Sequence, residues 1–276
     1  MAASGIETAL RRDRLIVVAA LAVMTLLAWA YLAWLAASMQ AQDAQDAARM
    51  PGMDMAAMNA MLLLRPWTSI DFAVTFAMWA IMMVAMMTPS ATPMVLLYAG
   101  VGRKARADGR VFSSSAWFVA GYLLVWMAFS LIATGAQWLL AALALLTVMM
   151  VTASGILAGA LLIAAGIYQW LPLKDLCLRE CQAPFGFIAR HGGFSSRPLG
   201  AIRLGLVHGL YCVGCCWALM LLLFVGGVMN ILWIALLSIL VLIEKTVGPG
   251  RAISRLIGLL LVAAGLGVLL QASGCC

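Results

Sequence analysis

Along this chain long apolar runs alternate with short polar ones, and seven apolar runs stand out, at about 15–38, 71–98, 113–140, 152–170, 200–225, 228–243 and 252–272. A helix rises about 1.5 Å per residue and a bilayer core is about 30 Å thick, so runs of roughly 20 apolar residues read as crossings. The pattern predicts an all-α polytopic membrane protein, a bundle of about seven transmembrane helices forming one domain over 1–276. No internal repeat and no separate soluble domain interrupts it. The run at 228–243 is short for a full crossing. Pro89 and Pro93 remove two backbone donors from the second run and predict a kink there, with Thr88, Ser90 and Thr92 beside the freed carbonyls. Between the fourth and fifth runs, Pro172 and Pro184 bracket a short cytoplasmic interfacial helix.

The polar runs set the orientation. Of the 17 Lys and Arg residues, only Arg49 and Arg65 fall in the segments that this topology places outside. By the positive-inside rule the N-terminus and the loop 171–199 are cytoplasmic, while the loop 39–70 and the C-terminus are extracytoplasmic. The first run is longer than a signal-peptide h-region and no Ala-x-Ala site follows it, so it is expected to stay as a span. The expected location is a bacterial inner membrane.

Composition agrees: 66% of the residues are hydrophobic and 10% charged, against about 25% charged in soluble domains. Soluble enzyme folds are excluded. The net charge of +7 is spread in clusters between apolar runs, which marks topology and not a nucleic-acid partner.

Candidate chemistry concentrates in the fifth run. His208, Cys212, Cys215 and Cys216 fall within an arc of about 100° on one helix face. Reactive side chains at membrane depth normally face a bundle interior or a cavity, which makes them a candidate site. Cysteine is also a small, readily buried hydrophobe, and a lone histidine is often a core residue bonded across helices.

Methionine forms a second group. Met53, Met55 and Met58 lie in the outer loop, where five methionines fall between Met50 and Met61. Thioethers select Cu(I) over hard cations, so the loop reads either as metal capture or as the greasy face of a surface helix. Met78, Met82 and Met86 repeat every four residues in the second run, beside Met83 and Met87. Counted in from their loops, Met82 and Cys212 both come near mid-bilayer.

Cys177 and Cys181 stand one turn apart on the inner-loop helix. They read either as a two-thiolate clip, with Lys174 or Arg179 near, or as part of an ordinary amphipathic connector. Glu244 is expected to pair with Lys245 or an interface arginine. The tail Cys275-Cys276 leaves a metal hand-off, an intermolecular disulfide or no role equally open.

Several of these pieces resemble a bacterial family of uncharacterised integral membrane proteins described as predicted metal-binding. The pieces are Ala85 to Ser90, Ala165 to Gln169 with Pro172 to Lys174, Cys177 to Cys181, Gly209 to Met220 around Cys215-Cys216-Trp217, Gly227 to Asn230, and Glu244-Lys245. The resemblance implies a membrane protein that binds metal, with no established activity. Leu171 and Gln182 stand where that family more often has Thr and Arg, so no role is carried over to those two positions.

Together these features lead to the expectation of a soft-metal protein, with Cu(I) as cargo, set in a lipid bilayer. It transports copper, or delivers it from a periplasmic donor to a membrane or periplasmic cuproenzyme. No Walker motif or nucleotide-binding segment is recognisable, and zinc suits thioethers poorly. An alternative from another class is a transmembrane thiol-disulfide oxidoreductase with Cys212 and Cys215 as redox pair. It leaves the methionines without a role.

Overall fold

The computed structural model describes residues 2–49, 67–109, 111–147, 151–152, 154–191, 196–247 and 250–273. Among them the secondary structure is helical apart from one isolated antiparallel bridge, Leu146 with Thr152. The first helix, α1 (Ala2–Arg49), runs past the apolar segment because 39–49 is rich in Ala and Gln, which are good helix formers. α2 (Ser69–Ala107) begins with a capping box. Thr68 N donates to Asp71 Oδ2 at 2.8 Å, and Asp71 N donates to Thr68 Oγ1 at 3.2 Å.

α2 is assigned as helix straight through Pro89 and Pro93. Pro89 has no N–H for the carbonyl of Ala85, and the Trp29 indole of α1 supplies one at 3.2 Å. The neighbouring carbonyls also meet hydroxyls. Ser90 Oγ donates to Met87 O at 3.0 Å and Thr92 Oγ1 to Thr88 O at 3.0 Å.

α3 (Ser115–Ala142) and α4 (Gly155–Tyr168) follow, with serine caps at Ser114 and Ser154. The segment between the two prolines is α5 (Pro172–Gln182), and Pro184 starts a further helix that the sequence pattern did not announce, α6 (Pro184–Arg190). α7 (Pro198–Leu221) carries the cysteine stripe and is extended by one turn, Leu223–Gly226. The chain reverses at Gly227, whose φ of 96° suits glycine. α8 (Ile231–Thr246) is capped by Asn230, and α9 (Gly250–Ala272) ends the described chain.

Among the described residues five helices are long and apolar enough to cross a membrane: most of α1 and α2, then α3, α7 with its extra turn, and α9. The stretches expected as the fourth and sixth spans are the 14-residue α4 and the 16-residue α8. α4 and α5 meet at a bend of 64°, and counting that pair as one broken span gives six. The short α4 leads directly into α5, which is bonded to the end of α8 through Lys174 and Glu244.

Packing divides the helices into two groups. α1 lies on α2, α2 on α3, and α3 on α7; separately, α4 lies on α9. Glycines set the closest approaches. A Cβ on Gly121 would run into the backbone of α7 at Ile202 and Leu206, and one on Gly205 into that of α3 at Phe118 and Tyr122. In the other pair, a Cβ on Gly166 would lie 2.8 Å from Gly258 O and one on Gly258 2.8 Å from Gly166 O. α5 packs on α7, and α8 touches both groups.

Candidate functional site

The closeness of α3 and α7 decides what faces the cysteine stripe. Tyr122 leaves α3 next to the Gly121 crossing, and its hydroxyl lies 3.1 Å from Cys212 Sγ. The same hydroxyl lies 3.1 Å from Met87 O, to which it donates. From the opposite side Lys245 of α8 brings Nζ to 2.8 Å from Cys212 Sγ and 3.3 Å from Ser90 Oγ. Cys212 thus sits between a phenol and an ammonium, and both link it to the proline segment of α2.

α5 brings the remaining thiols. Cys181 is partly buried, and its thiol stands close enough to those of Cys212 and Cys215 to interact with both. The thiol of Cys177 lies against Gly214, where a Cβ would come within 2.8 Å of it. Five cysteines on two helices, all free thiols, therefore share one pocket. Cys212, Cys215 and Cys216 are each no more than 2% exposed. Cys215 Sγ and Cys216 Sγ donate to the Cys212 carbonyl at 3.1 and 2.9 Å, the usual resting place of a small donor on a helix. Among the described residues no three His, Cys, Asp or Glu side chains stand as a ready-made metal cage.

The pair expected at the end of α8 is rearranged. Glu244 bonds Lys174 of α5 through both carboxylate oxygens, at 2.8 and 2.9 Å, and not its neighbour Lys245 or an arginine. Consecutive helical residues point about 100° apart, so Glu244 faces α5 and α9 while Lys245 faces α2 and α7. Ser254 Oγ donates to Glu244 Oε1 at 2.9 Å, Gln182 Nε2 to Glu244 O at 2.7 Å, and Lys174 also donates to Gln169. Lys174 is fully buried in this network, which holds α5 under the thiols. It does not serve as the thiol's cation. Arg251 and Asp175, 2.9 Å apart, fasten α9 to the same helix.

His208 lies one turn below Cys212 and is 3% exposed. Its ring is boxed by Phe118 and Tyr122, each at 5.8 Å, and Phe187 at 5.2 Å. Its Nδ1 has no hydrogen-bond partner among the described residues. Phe187 comes from α6, whose packing closes the pocket on this side.

Met78, Met82 and Met86 are all buried, with Met83 and Met87, in the same core as Cys212, Cys215 and Cys216. Met53, Met55 and Met58 lie outside the described residues, as do Cys275 and Cys276. The residues that sequence reasoning missed are Tyr122 and Lys245 as partners of Cys212. The Glu244-Lys245 motif was a signal for the second; nothing local marked Tyr122.

Among the described residues, a helical architecture with five potential membrane crossings and a cluster of buried thiols defines the class. Residues 76–268 match the profile of the PpoB2 family, described as copper chaperone, and the chain belongs to that family. Its function is thereby copper-related. No curated protein and no solved structure matches the chain.

Proposed function

We propose that this protein is a membrane-embedded Cu(I) chaperone. Its thiol pocket takes the ion from a periplasmic donor and releases it to a membrane or periplasmic cuproenzyme. What supports the reading most is the convergence of Cys181 from α5 with Cys212 and Cys215 from α7 beside the ammonium of Lys245. Two or three thiolates suit the soft monovalent ion, and the small side chains on two different helices can adjust to it. Cys215 and Cys216 need only turn about χ1, away from the Cys212 carbonyl, to join the ligand set. Two thiolates on one Cu(I) carry a net negative charge, which Lys245 balances as a compact point charge in a place that water does not reach. His208, with its free Nδ1, is the nitrogen donor nearest along the helix, and Met78, Met82 and Met86 give a soft path along α2.

In this reading the orientation follows the basic residues: N-terminus in the cytoplasm of a bacterial inner membrane, C-terminus in the periplasm. Delivery is preferred to pumping because no segment for ATP hydrolysis is recognisable and the family is named for chaperones. The redox alternative has no observation in its favour, and it leaves the buried methionines of α2 without a role.

The test is elemental analysis of the detergent-purified protein beside a C212S/C215S/C216S variant, with free thiols counted in both. Stoichiometric copper that disappears in the variant is expected. Copper-free protein carrying a reducible Cys212–Cys215 disulfide would overturn the proposal in favour of electron transfer.

A further inference from the structure

At the arginine-rich end of the bundle, away from the thiols, α1, α2 and the start of α3 enclose a cleft of about 230 Å³. One wall is apolar, made by Ile16 and Val17 on α1. The opposite wall is basic, made by Arg103 and Arg106 in the last turns of α2. Among the described residues no ion pair engages either guanidinium. The floor is Phe112, whose ring occupies the space that a Cβ on Gly102 would need. Ser113, Ser114 and Ser115 complete the rim at the N-terminus of the 28-residue α3, where backbone N–H groups and the helix dipole favour an anion.

Ser113 adds an independent observation. It lines the cleft, is only 5% exposed, and its Oγ meets no partner with hydrogen-bond geometry; the Tyr98 hydroxyl stands beside it. With Tyr98 beside it, the Ser113 hydroxyl keeps hydrogen-bonding capacity, in the cleft that Arg103, Arg106 and the helix N-terminus line, for a group from outside the chain. Immediately around the cleft, Arg14, Arg103 and Lys104 line a second depression on the α1–α2 face, so the positive field extends along the surface. Among the described residues no carboxylate lines either one.

We propose that this cleft binds the phosphate of an anionic phospholipid headgroup, with the guanidiniums of Arg103 and Arg106 and the Ser113 hydroxyl on the phosphate oxygens. Phosphate is the shared chemistry; the apolar wall selects the lipid as its source. Ile16, 56% exposed, stands where an acyl chain leaves the headgroup, whereas a free phosphate has no use for that surface. The site is separate from copper handling. It seats α1 against α2 and α3 in an anionic bilayer.

Native mass spectrometry of the full-length protein, exchanged from detergent into phosphatidylglycerol or phosphatidylcholine mixtures, reads the site. The wild type is expected to retain phosphatidylglycerol in preference to phosphatidylcholine, and R103Q/R106Q to retain it roughly 10- to 30-fold less. R255Q, an exposed arginine elsewhere on the chain, is expected to behave as wild type. Copper content, unchanged in R103Q/R106Q, controls for folding. Equal retention of the two lipids, or the same loss in R255Q as in R103Q/R106Q, would overturn the proposal. Inorganic phosphate that binds the wild type and displaces phosphatidylglycerol at equal concentration would move the site from lipid to free phosphate and overturn the lipid assignment.

Discussion

Cys212 is the residue on which the pocket turns. Its Sγ lies 2.8 Å from Lys245 Nζ and 3.1 Å from the Tyr122 hydroxyl, but these two neighbours differ in what they offer a bound cation. The ammonium balances the charge of a copper–thiolate unit; the phenol chiefly ties α3 to α2 by donating to Met87 O at 3.1 Å. Substitution separates the roles. Lys245→Met keeps the length and loses the charge, so Cu(I) retention against a competing chelator is expected to fall about tenfold or more, the worth of a charge-assisted hydrogen bond. Tyr122→Phe removes one of the two side-chain donors to Met87 O, Ser90 Oγ remaining, and is expected to cost about 1 kcal/mol of stability while retention changes little. Chelator competition and thermal unfolding in detergent check both. If the two variants lose copper equally, Lys245 is no counter-ion and the distinction fails.

At the scale of elements, the Lys174–Glu244 pair is what holds α5 in place. Both side chains are about 2% exposed or less, and breaking a buried pair on one side costs about 3–5 kcal/mol because a charge is left uncompensated. Glu244→Gln is therefore expected to lower the unfolding midpoint and to release α5, so that a membrane-impermeant maleimide reaches Cys177 and Cys181 faster than in wild type. The double variant K174M/E244L, which removes both charges, is expected to recover most of the midpoint. A midpoint that drops further in the double variant would show that the pair is not the fastening. This network also marks how far the sequence could be read. The helices were legible because apolar runs bounded by Arg, Pro and Gly state their own lengths, and α5 was legible between Pro172 and Pro184. The cysteine face was legible as well, since helical periodicity places His208, Cys212, Cys215 and Cys216 together. Partners across helices were not. Glu244 and Lys245 are adjacent in sequence and point about 100° apart, and only the packing of α5 and α7 around α8 assigns Lys174 to one and Cys212 to the other. The shortness of α8 was legible in its run of 228–243, whereas the early end of α4 at the bend into α5 was not.

On the scale of the whole molecule the thiols lie at a seam. α7 belongs to the group α1–α2–α3–α7, α4 belongs with α9, and α5 hangs from α4 across a 64° bend while pressing its cysteines against α7. Apart from packing, the fastenings across this seam among the described residues include Lys174 and Ser254 to the Glu244 carboxylate, Gln182 to the Glu244 carbonyl, Tyr168 to the Gly214 carbonyl, and the thiol contacts themselves. An ion bound by Cys181 together with Cys212 and Cys215 would add a bond between the two groups in the folded state only. Linkage then requires a stability gain that grows with free ligand, about 2.7 kcal/mol at a free concentration 100 times Kd. Cu(I), supplied under reducing conditions from a buffered donor, is expected to raise the unfolding midpoint of the purified protein with that logarithmic dependence. Ag(I), equally soft and monovalent, is expected to do the same, and Mg²⁺ is not. In Cys181→Ser the ion is still held by Cys212 and Cys215, both on α7, so binding persists while most of the midpoint gain across the seam is lost. Equal gains in wild type and Cys181→Ser would mean that the ion sits on α7 alone. The two helix groups would then part and close independently of cargo.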